Sequence, residues 1–129
     1  MQEVVTENAP AAIGPYSQAV RSGEWLFVSG QIPLDPCSGS LVGGDVACQM
    51  ERVMENVGAI LAAAGAGFGD VVKTTLYLVD LNDFVVVNGV YARYFRSPFP
   101  ARATVGVAAL PKGARLEMEV MVHLQGGCA

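Results

Sequence analysis

The C-terminal segment, residues 116–124, constrains the fold more than any other part of the chain. Its side chains alternate with a period of two, which is typical of a β-strand that turns one face to a core. One face is entirely apolar and carries Leu116, Met118, Val120, Val122 and Leu124. The other face is mixed and carries Glu117, Glu119, Met121 and His123. The segment therefore predicts a sheet with one buried face and one face of different character.

A helix that could cover the buried face follows Asp45. Apolar residues recur there at helical spacing, and Gly65 and Gly67 then supply stop signals. The recurring residues are Val46, Met50, Val53, Val57, Ile60 and Ala64. We expect an amphipathic helix from Asp45 to Ala64.

The remaining strands are predicted from β-branched runs bounded by turn residues. They comprise residues 18–20 and 25–29, which form a hairpin, a short strand beginning at Leu41 and Val42, residues 70–79, and residues 102–108.

The segment after Asn82 and Asp83 is ambiguous, because residues 85–87 are three valines, which favour a strand by propensity. Apolar and aromatic residues nevertheless share one helical face: Phe84, Val87, Tyr91, Tyr94 and Phe95. We therefore predict a second helix.

This order of elements predicts an α+β fold in which residues 1–129 form a single domain. Two helices cover only one face of the sheet. The chain is 52% hydrophobic with a mean hydropathy of +0.39, so the second face is expected to be partly apolar as well. We expect it to be covered by self-association.

Composition also argues against several classes of function. No run approaches the roughly 20 apolar residues of a membrane-spanning helix. The net charge of −4 and the pI near 4.8 disfavour binding to a phosphate backbone. Residues 1–3 do not begin a signal peptide, so a cytoplasmic location is expected.

Few residues are available for metal, cofactor or nucleophilic chemistry. The one histidine, His123, has no cluster of ligands at metal-binding spacing, and neither a G-x-S-x-G elbow nor a phosphate-binding loop is present. Cys37, Cys48 and Cys128 are interpreted as reduced thiols without a catalytic role. The remaining possibility is chemistry that needs an acid or base, a cationic anchor and hydrogen bonds.

Arg102 and Glu117 are the residues with that potential. Arg102 begins a predicted strand behind Pro100 and Ala101 and cannot discard its charge, so it needs an anion. That anion is either a protein carboxylate, the more frequent arrangement, or a substrate. Glu117 is similarly either a solvated side chain or a proton-transfer group. The residues alone leave both pairs of roles open.

A set of short motifs, spread in order over nearly the whole chain, is more specific. The motifs are Ile13-Gly14-Pro15-Tyr16-Ser17-Gln18-Ala19, Val28-Ser29-Gly30-Gln31-Ile32-Pro33, Val71-Val72-Lys73, Asn82-Asp83-Phe84, Pro100-Ala101-Arg102-Ala103, Val107-Ala108-Ala109-Leu110-Pro111-Lys112-Gly113 and Leu116-Glu117-Met118-Glu119. Together they closely resemble the reactive-intermediate deaminase family, also called RidA, YjgF or L-PSP.

The resemblance implies a chorismate-mutase-like fold, a mixed β-sheet with two helices packed on one face. It further implies a homotrimer whose sheets line a central barrel, with active sites in the clefts between subunits. Family members hydrolyse 2-imino acids such as 2-iminobutanoate and 2-iminopropanoate, or their enamine tautomers, to 2-keto acids and ammonia. These substrates are released by pyridoxal-phosphate-dependent dehydratases, and the resemblance implies no metal or organic cofactor.

The resemblance also assigns expected roles to single residues. Arg102 matches the arginine that pairs with the substrate carboxylate, and Glu117 matches the glutamate that orients water and handles protons. The positions that line, support or shape the substrate pocket match Tyr16, Ser29, Gly30, Phe84 and Asn88, with Pro111 in the adjoining loop.

Two features depart from the family pattern. Many members have cysteine where this chain has Thr104. If the backbone carbonyl is what matters at that position, Thr104 keeps a substrate-binding role, whereas any thiol-based regulation is lost. The loop before Pro100 is also short, which bears on access to the pocket.

Two other functions remain as alternatives. Some family members are described as endoribonucleases that inhibit translation, although the acidic charge and the lack of a histidine pair argue against that activity here. The other alternative is a non-catalytic module, either a sensor of carboxylate metabolites or a chaperone-like binder. It would need Arg102 but not Glu117.

Overall fold

The computed structural model describes residues 1–124, which contain six strands and two α-helices. In chain order these are β1 (Gln2–Val4), β2 (Ala19–Ser22), β3 (Trp25–Gln31), α1 (Val46–Ala63), β4 (Val71–Leu78), α2 (Phe84–Ala92), β5 (Ala101–Gly106) and β6 (Leu116–His123). Short 3₁₀ turns at residues 68–70, 81–83 and 111–113 precede β4, α2 and β6. The α+β prediction is confirmed.

The six strands form one mixed sheet in the order β1-β2-β3-β6-β4-β5. All neighbours are antiparallel except β4 and β5, which run parallel. A parallel pair cannot be joined by a tight turn and needs a crossover, which α2 supplies. The last two strands in sequence are consequently separated in space, with β6 at the centre of the sheet and β5 at an edge.

The core lies between the helices and one face of the sheet. The Asp45 side chain caps α1 by accepting a hydrogen bond of 2.9 Å from the backbone amide of Cys48. Six apolar residues of α1 are completely buried: Met50, Val53, Met54, Val57, Ile60 and Leu61. They pack against the apolar set of β6, of which Leu116, Met118, Val120 and Val122 are all at most 2% exposed. The predicted helix and the predicted alternation are both confirmed.

The opposite face of the sheet carries exposed apolar side chains. Trp25 and Phe27 of β3, Val105 of β5 and Met121 of β6 each remain about two-fifths exposed. Trp25, Phe27 and Met121 alternate with buried neighbours along their strands. A single copy of the chain therefore leaves an apolar sheet face in contact with water.

Three sequence predictions are corrected. The strand expected at Leu41 and Val42 was wrong: Leu41 forms only an isolated bridge with Leu34, because hydrogen bonds within residues 33–42 fold this segment back on itself. Strand β1 was missed, because its three residues are too few to show a period. The second predicted helix exists but ends at Ala92, and Tyr94 and Phe95 follow it in a tighter turn.

Among residues 1–124, no helix combines the length and the hydrophobicity that crossing a bilayer requires.

Two valines of α2 provide a matched test of this packing. Val87 is completely buried and Val85 is 80% exposed. We expect Val87→Ala to lower the free energy of unfolding by about 2 kcal/mol, because the lost methyl groups leave a cavity. Val85→Ala should change it by less than about 0.5 kcal/mol. Urea unfolding of both variants at one fixed protein concentration measures the difference, and equal losses would contradict the assignment of faces.

Candidate active site

A cleft of about 560 Å³ lies between the N-terminal segment, β3, the start of β6 and the loop before it. Four residues selected from the sequence line this cleft together: Tyr16, Ser29, Gly30 and Glu117. Its remaining wall is largely apolar and includes Pro10, Ile13, Ile32 and Leu34. The structure thus brings a carboxylate into a cleft whose surroundings are mostly apolar. We refer to it as the Glu117 cleft.

A local irregularity in β3 makes room for the carboxylate. Val28 pairs with Val120 and Gln31 with Met118, so two residues of β3, Ser29 and Gly30, stand opposite one residue of β6. Such a bulge bends the strand and redirects its side chains.

Gly30 leaves the space that the Glu117 carboxyl group occupies. A Cβ atom at position 30 would lie 1.8 Å from Oε2 of Glu117 and 2.8 Å from its Cδ. Glycine is therefore required at position 30 to keep the carboxyl group where it is.

The environment of Glu117 favours its protonated form. Burial raises the pKa of the Glu117 carboxyl above its ordinary value, and the negative charge of Glu119 acts in the same direction. Glu119 itself accepts a hydrogen bond from the Tyr77 hydroxyl; this bond, together with burial, raises the pKa of Tyr77 to about 12. A carboxyl group with a raised pKa is a stronger base than an ordinary glutamate and is suited to proton transfer.

The walls of the Glu117 cleft are fixed by buried polar side chains. Gln18 is 4% exposed and its amide binds four backbone groups of the N-terminal segment: it accepts from the Thr6 amide at 2.8 Å and donates to the carbonyls of Thr6 at 3.0 Å, Ala9 at 3.3 Å and Pro10 at 2.8 Å. Asn56 of α1 donates to the Leu34 carbonyl at 3.0 Å. The Ser29 hydroxyl donates to the Ser17 carbonyl at 2.6 Å.

Tyr16 and Lys112 stand at the rim of the same cleft. The Tyr16 hydroxyl accepts a bond of 3.3 Å from the Ile13 amide, and its side chain is half exposed. Lys112 adopts a positive φ of 58° and donates to the Gly39 carbonyl at 3.3 Å. A non-glycine residue in this conformation is uncommon. Here it lies in the turn that connects Pro111 to β6.

Arg102 lies elsewhere, on the edge strand β5. Its Nη1 donates to Oδ1 of Asn88 at 2.7 Å, and its guanidinium carbon lies 5.3 Å from the centre of the Phe84 ring and 4.8 Å from that of Tyr91. Phe84, Asn88 and Tyr91 are spaced four and three residues apart on α2 and so share one helical face. A second cavity of about 410 Å³ opens beside them.

None of the ion pairs formed within residues 1–124 includes Arg102. The arrangement in which Arg102 pairs with a protein carboxylate is therefore not found in this part of the chain. Arg102 makes one side-chain hydrogen bond within residues 1–124, which leaves most of its five N–H groups free of partners there and open to an anion.

Arg102 and Glu117 do not meet within one chain. Arg102 pairs with Thr74 of β4, whose side chain is completely buried towards the helices, whereas Glu117 pairs with Tyr77, on the other face of β4. Paired residues point to the same face of a sheet, so the two side chains project from opposite faces. Strand spacing places their Cα atoms about 14 Å apart.

Thr104 follows Arg102 on the same face of β5 and pairs with Leu76. It is half-buried and lines neither cavity.

The other candidate ligands or nucleophiles do not join these sites. His123 contacts Glu24 at 3.3 Å and packs edge-on against Trp25. Cys37 and Cys48 are exposed free thiols, and a hydrogen bond to Asp45 raises the pKa of Cys48; Cys128 lies outside the described residues. Within residues 1–124 no three His, Cys, Asp or Glu side chains cluster as they would around a metal ion.

Sequence reasoning missed several residues that shape the two sites. Asn56 gave no signal, because an isolated amide shows no period, and Gln18 and Lys112 were given no role although both stand in family motifs. Tyr91 was correctly placed on the buried face of α2, but its contact with Arg102 was not foreseen. The spacing of Phe84, Asn88 and Tyr91 along α2 was the available signal.

Comparison with known proteins settles the family. The sequence profile of the family described as Endoribonuclease L-PSP matches residues 6–124. The chain is 54% identical over 123 residues to the human protein named 2-iminobutanoate/2-iminopropanoate deaminase, covering 95% of this chain and 89% of the human one. The chain belongs to the RidA/YjgF family.

Solved structures of family members share the fold. The crystal structure of RidA from the Antarctic bacterium Psychrobacter has a TM-score of 0.92 and 46% identity, covering 96% of this chain and all of that one. The structure of E. coli TdcF with bound serine has a TM-score of 0.92 and 42% identity, covering 97% of this chain and all of that one. The mixed sheet with two helices is thus the fold of the RidA/YjgF family.

Removing the charge of Glu119 separates the two causes of the raised Glu117 pKa. In Glu119→Gln the nearby negative charge disappears while burial, the larger cause, remains. We expect the pKa of Glu117 to fall but to stay above that of glutamate in an unstructured peptide. Carbon-detected NMR titration of the side-chain carboxyl groups measures this. Glu55→Gln, a change on α1, is the control and should leave the pKa of Glu117 unchanged, and a fall to the peptide value in Glu119→Gln would contradict the dominant role of burial.

Proposed function

We propose that this protein hydrolyses reactive 2-imino acids, such as 2-iminobutanoate and 2-iminopropanoate, to 2-keto acids and ammonia. The proposal rests on the presence of two functional groups in one chain. Glu117 is a carboxyl group with a raised pKa in an apolar cleft, and Arg102 has N–H donors free for a substrate. The human relative that is 54% identical is named for this activity. Both groups are side chains of the family motifs.

Arg102 is proposed to bind the substrate carboxylate. The planar guanidinium group matches a carboxylate in a two-point hydrogen bond, and Asn88 uses only one of its donors. Phe84 supports the guanidinium group from the side of α2. The E. coli relative TdcF was crystallised with serine, and an amino acid shares a carboxylate and an adjacent nitrogen with a 2-imino acid.

Glu117 is proposed to move the protons of the reaction. A protonated imine is already electrophilic at C2, so the carboxylate needs only to take a proton from water as its oxygen attacks that carbon. The protonated Glu117 then donates to the nitrogen of the tetrahedral intermediate. As the C–N bond breaks, the oxygen becomes a carbonyl and its proton passes through the Glu117 carboxylate to the departing ammonia, which leaves as ammonium, so Glu117 is again a carboxylate. Activity should fall as the pH drops through the raised pKa, because the protonated carboxyl group cannot accept the first proton.

The residues around Glu117 position the substrate. Ser29 and Gly30 place the bulged backbone of β3 beside the reacting carbon, and Tyr16 closes the rim of the Glu117 cleft. Thr104 is proposed to contribute to substrate binding through its backbone, since its side chain lines neither cavity in one chain.

The complete site is proposed to form between two subunits of a homotrimer. Arg102 and Glu117 project from opposite faces of one sheet, so a carboxylate bound to Arg102 can reach a Glu117 only from another copy. The exposed apolar face around Phe27 and Met121 supplies a surface for self-association. A chorismate-mutase-like trimer with its sheets around a central barrel would cover that face.

The other two functions have weaker support. The family description contains the word endoribonuclease, but the net charge is −4 and His123 lies six residues from Glu117 along β6 and contacts Glu24. A purely binding module would not need the raised pKa of Glu117.

Two substitutions test the proposed roles. We expect Arg102→Ala to lower kcat/KM at least about a hundredfold, mainly through KM, because a charge-assisted carboxylate contact is lost. Glu117→Gln should lower kcat by a factor of about 10² to 10⁴ with little change in KM. The assay follows 2-iminobutanoate produced by a threonine dehydratase, against the rate without added protein.

Matched controls are available on the helices. Arg93→Ala and Glu55→Gln remove an exposed arginine and an exposed glutamate that line neither cavity, and both should retain wild-type kinetics. If wild-type protein does not accelerate the reaction, the deaminase proposal fails. If Glu117→Gln has lost imine hydrolysis but still functions in cells as wild type does, the binding module is favoured, and cleavage of RNA that is lost in Glu117→Gln would favour the ribonuclease.

Mixing two inactive variants tests whether the site is shared between subunits. If Arg102 and Glu117 come from neighbouring copies, trimers refolded from equal amounts of Arg102→Ala and Glu117→Gln contain intact sites. Random assembly then restores about a quarter of wild-type activity. Light scattering should show trimers in every sample. Activity no higher than that of the separate variants would contradict the shared site.

A further inference from the structure

Tyr91 has a contact that the proposed chemistry does not yet use. Its ring is the nearer of the two aromatic rings beside Arg102, with 4.8 Å from the guanidinium carbon to the ring centre. The tyrosine is only 5% exposed. Its hydroxyl is in the protein interior, where it shares a hydrogen bond of 2.9 Å with Oγ1 of Thr74.

Thr74 links this ring to the strand that carries Arg102. It is completely buried, and it is the residue of β4 that pairs directly with Arg102 of β5. Arg102, Thr74 and Tyr91 therefore each contact the other two. Arg102 pairs with Thr74 through the backbone, Thr74 binds Tyr91 through its hydroxyl, and the Tyr91 ring lies against the Arg102 guanidinium group. Phe95 also packs against the Tyr91 ring, with 4.6 Å between ring centres.

We propose that Tyr91 is a positioning residue that holds the Arg102 guanidinium group ready for a substrate carboxylate, and that Thr74 fixes Tyr91. This inference rests on the proposed function and extends it to two residues with no assigned role.

The Arg102 guanidinium group needs to be held in place because Arg102 lies on an edge strand and has no carboxylate partner in the described residues. A free arginine side chain samples many rotamers, and ordering it on binding costs free energy. Asn88 restrains one end of the guanidinium group through Nη1. The face of an aromatic ring attracts a cation without consuming its N–H donors, so Tyr91 restrains the group and leaves the donors free.

Three variants separate the ring from its hydroxyl. Tyr91→Leu removes the cation–π contact, and we expect KM to rise roughly tenfold with kcat changed by less than about twofold. Tyr91→Phe keeps the ring but loses the hydrogen bond to Thr74, and we expect a rise in KM smaller than that of Tyr91→Leu. Thr74→Val frees the Tyr91 hydroxyl from its buried partner, and we expect an intermediate rise in KM.

Tyr94→Leu is the matched control for loss of an aromatic ring. Tyr94 follows α2, packs against Phe68 and donates to Glu55 at 3.0 Å, without contact to Arg102. It should lower stability while leaving KM near the wild-type value. If Tyr94→Leu and Tyr91→Leu change KM and kcat to the same extent, Tyr91 is only a structural residue and the inference is wrong.

A double variant shows whether Tyr91 acts through Arg102. Once Arg102 is alanine, a residue that only positions its guanidinium group has no further effect. We therefore expect Tyr91→Leu to raise KM in the wild-type background and to leave it unchanged in the Arg102→Ala background. Independent, multiplying effects on KM would contradict the inference.

Binding of 2-ketobutanoate, measured by calorimetry on the intact oligomer, separates this inference from the deaminase proposal. If wild type does not hydrolyse the imine but binds the keto acid, and Tyr91→Leu weakens binding roughly tenfold, the deaminase proposal fails while the positioning role stands. If wild type neither hydrolyses the imine nor binds the keto acid, the carboxylate clamp and the role of Tyr91 fail together. If wild type hydrolyses the imine and Tyr91→Leu leaves KM unchanged, only the positioning role is wrong.

Discussion

The pairing of β6 with β3 on one side and β4 on the other is the interaction on which the rest of the structure depends. One face of β6 supplies four buried side chains to the core, and its other face carries Glu117. The register that buries Leu116 and Met118 necessarily turns Glu117 out of the core, because neighbours along a strand point to opposite faces. The strand register that forms the core therefore also places the Glu117 carboxylate.

A second constraint on the structure is that Arg102 and Glu117, which have opposite charges, are kept apart. Arg102 and Glu117 would neutralise one another in a close ion pair, and neither would remain available for a ligand. The parallel crossover through α2 prevents this by placing Arg102 at the sheet edge, facing the helices. Aromatic rings and an amide then hold the arginine without supplying a countercharge.

Sequence patterns predicted the elements with strong periodicity and missed those defined by long-range contacts. The alternation of β6 and the helical spacing of α1 are local properties, so both predictions were confirmed. β1 is stabilised by pairing with β2, and the segment near Leu41 by a loop that closes on itself, and neither effect leaves a period in the sequence. The family motifs pointed to Arg102 and Glu117, but the opposite faces on which they lie depend on strand order, which no motif encodes.

Gly30 shows how a residue without a side chain can serve a neighbouring functional group. A methyl group there would overlap the carboxyl oxygen of Glu117, so glycine at this position keeps open the volume that the carboxyl group fills. In a saturation mutagenesis experiment, alanine at position 30 should already lower activity by displacing the Glu117 carboxyl group, although the φ of Gly30 is negative and alanine suits the backbone. Substitution matrices, which treat glycine-to-alanine changes as mild, would underestimate that effect.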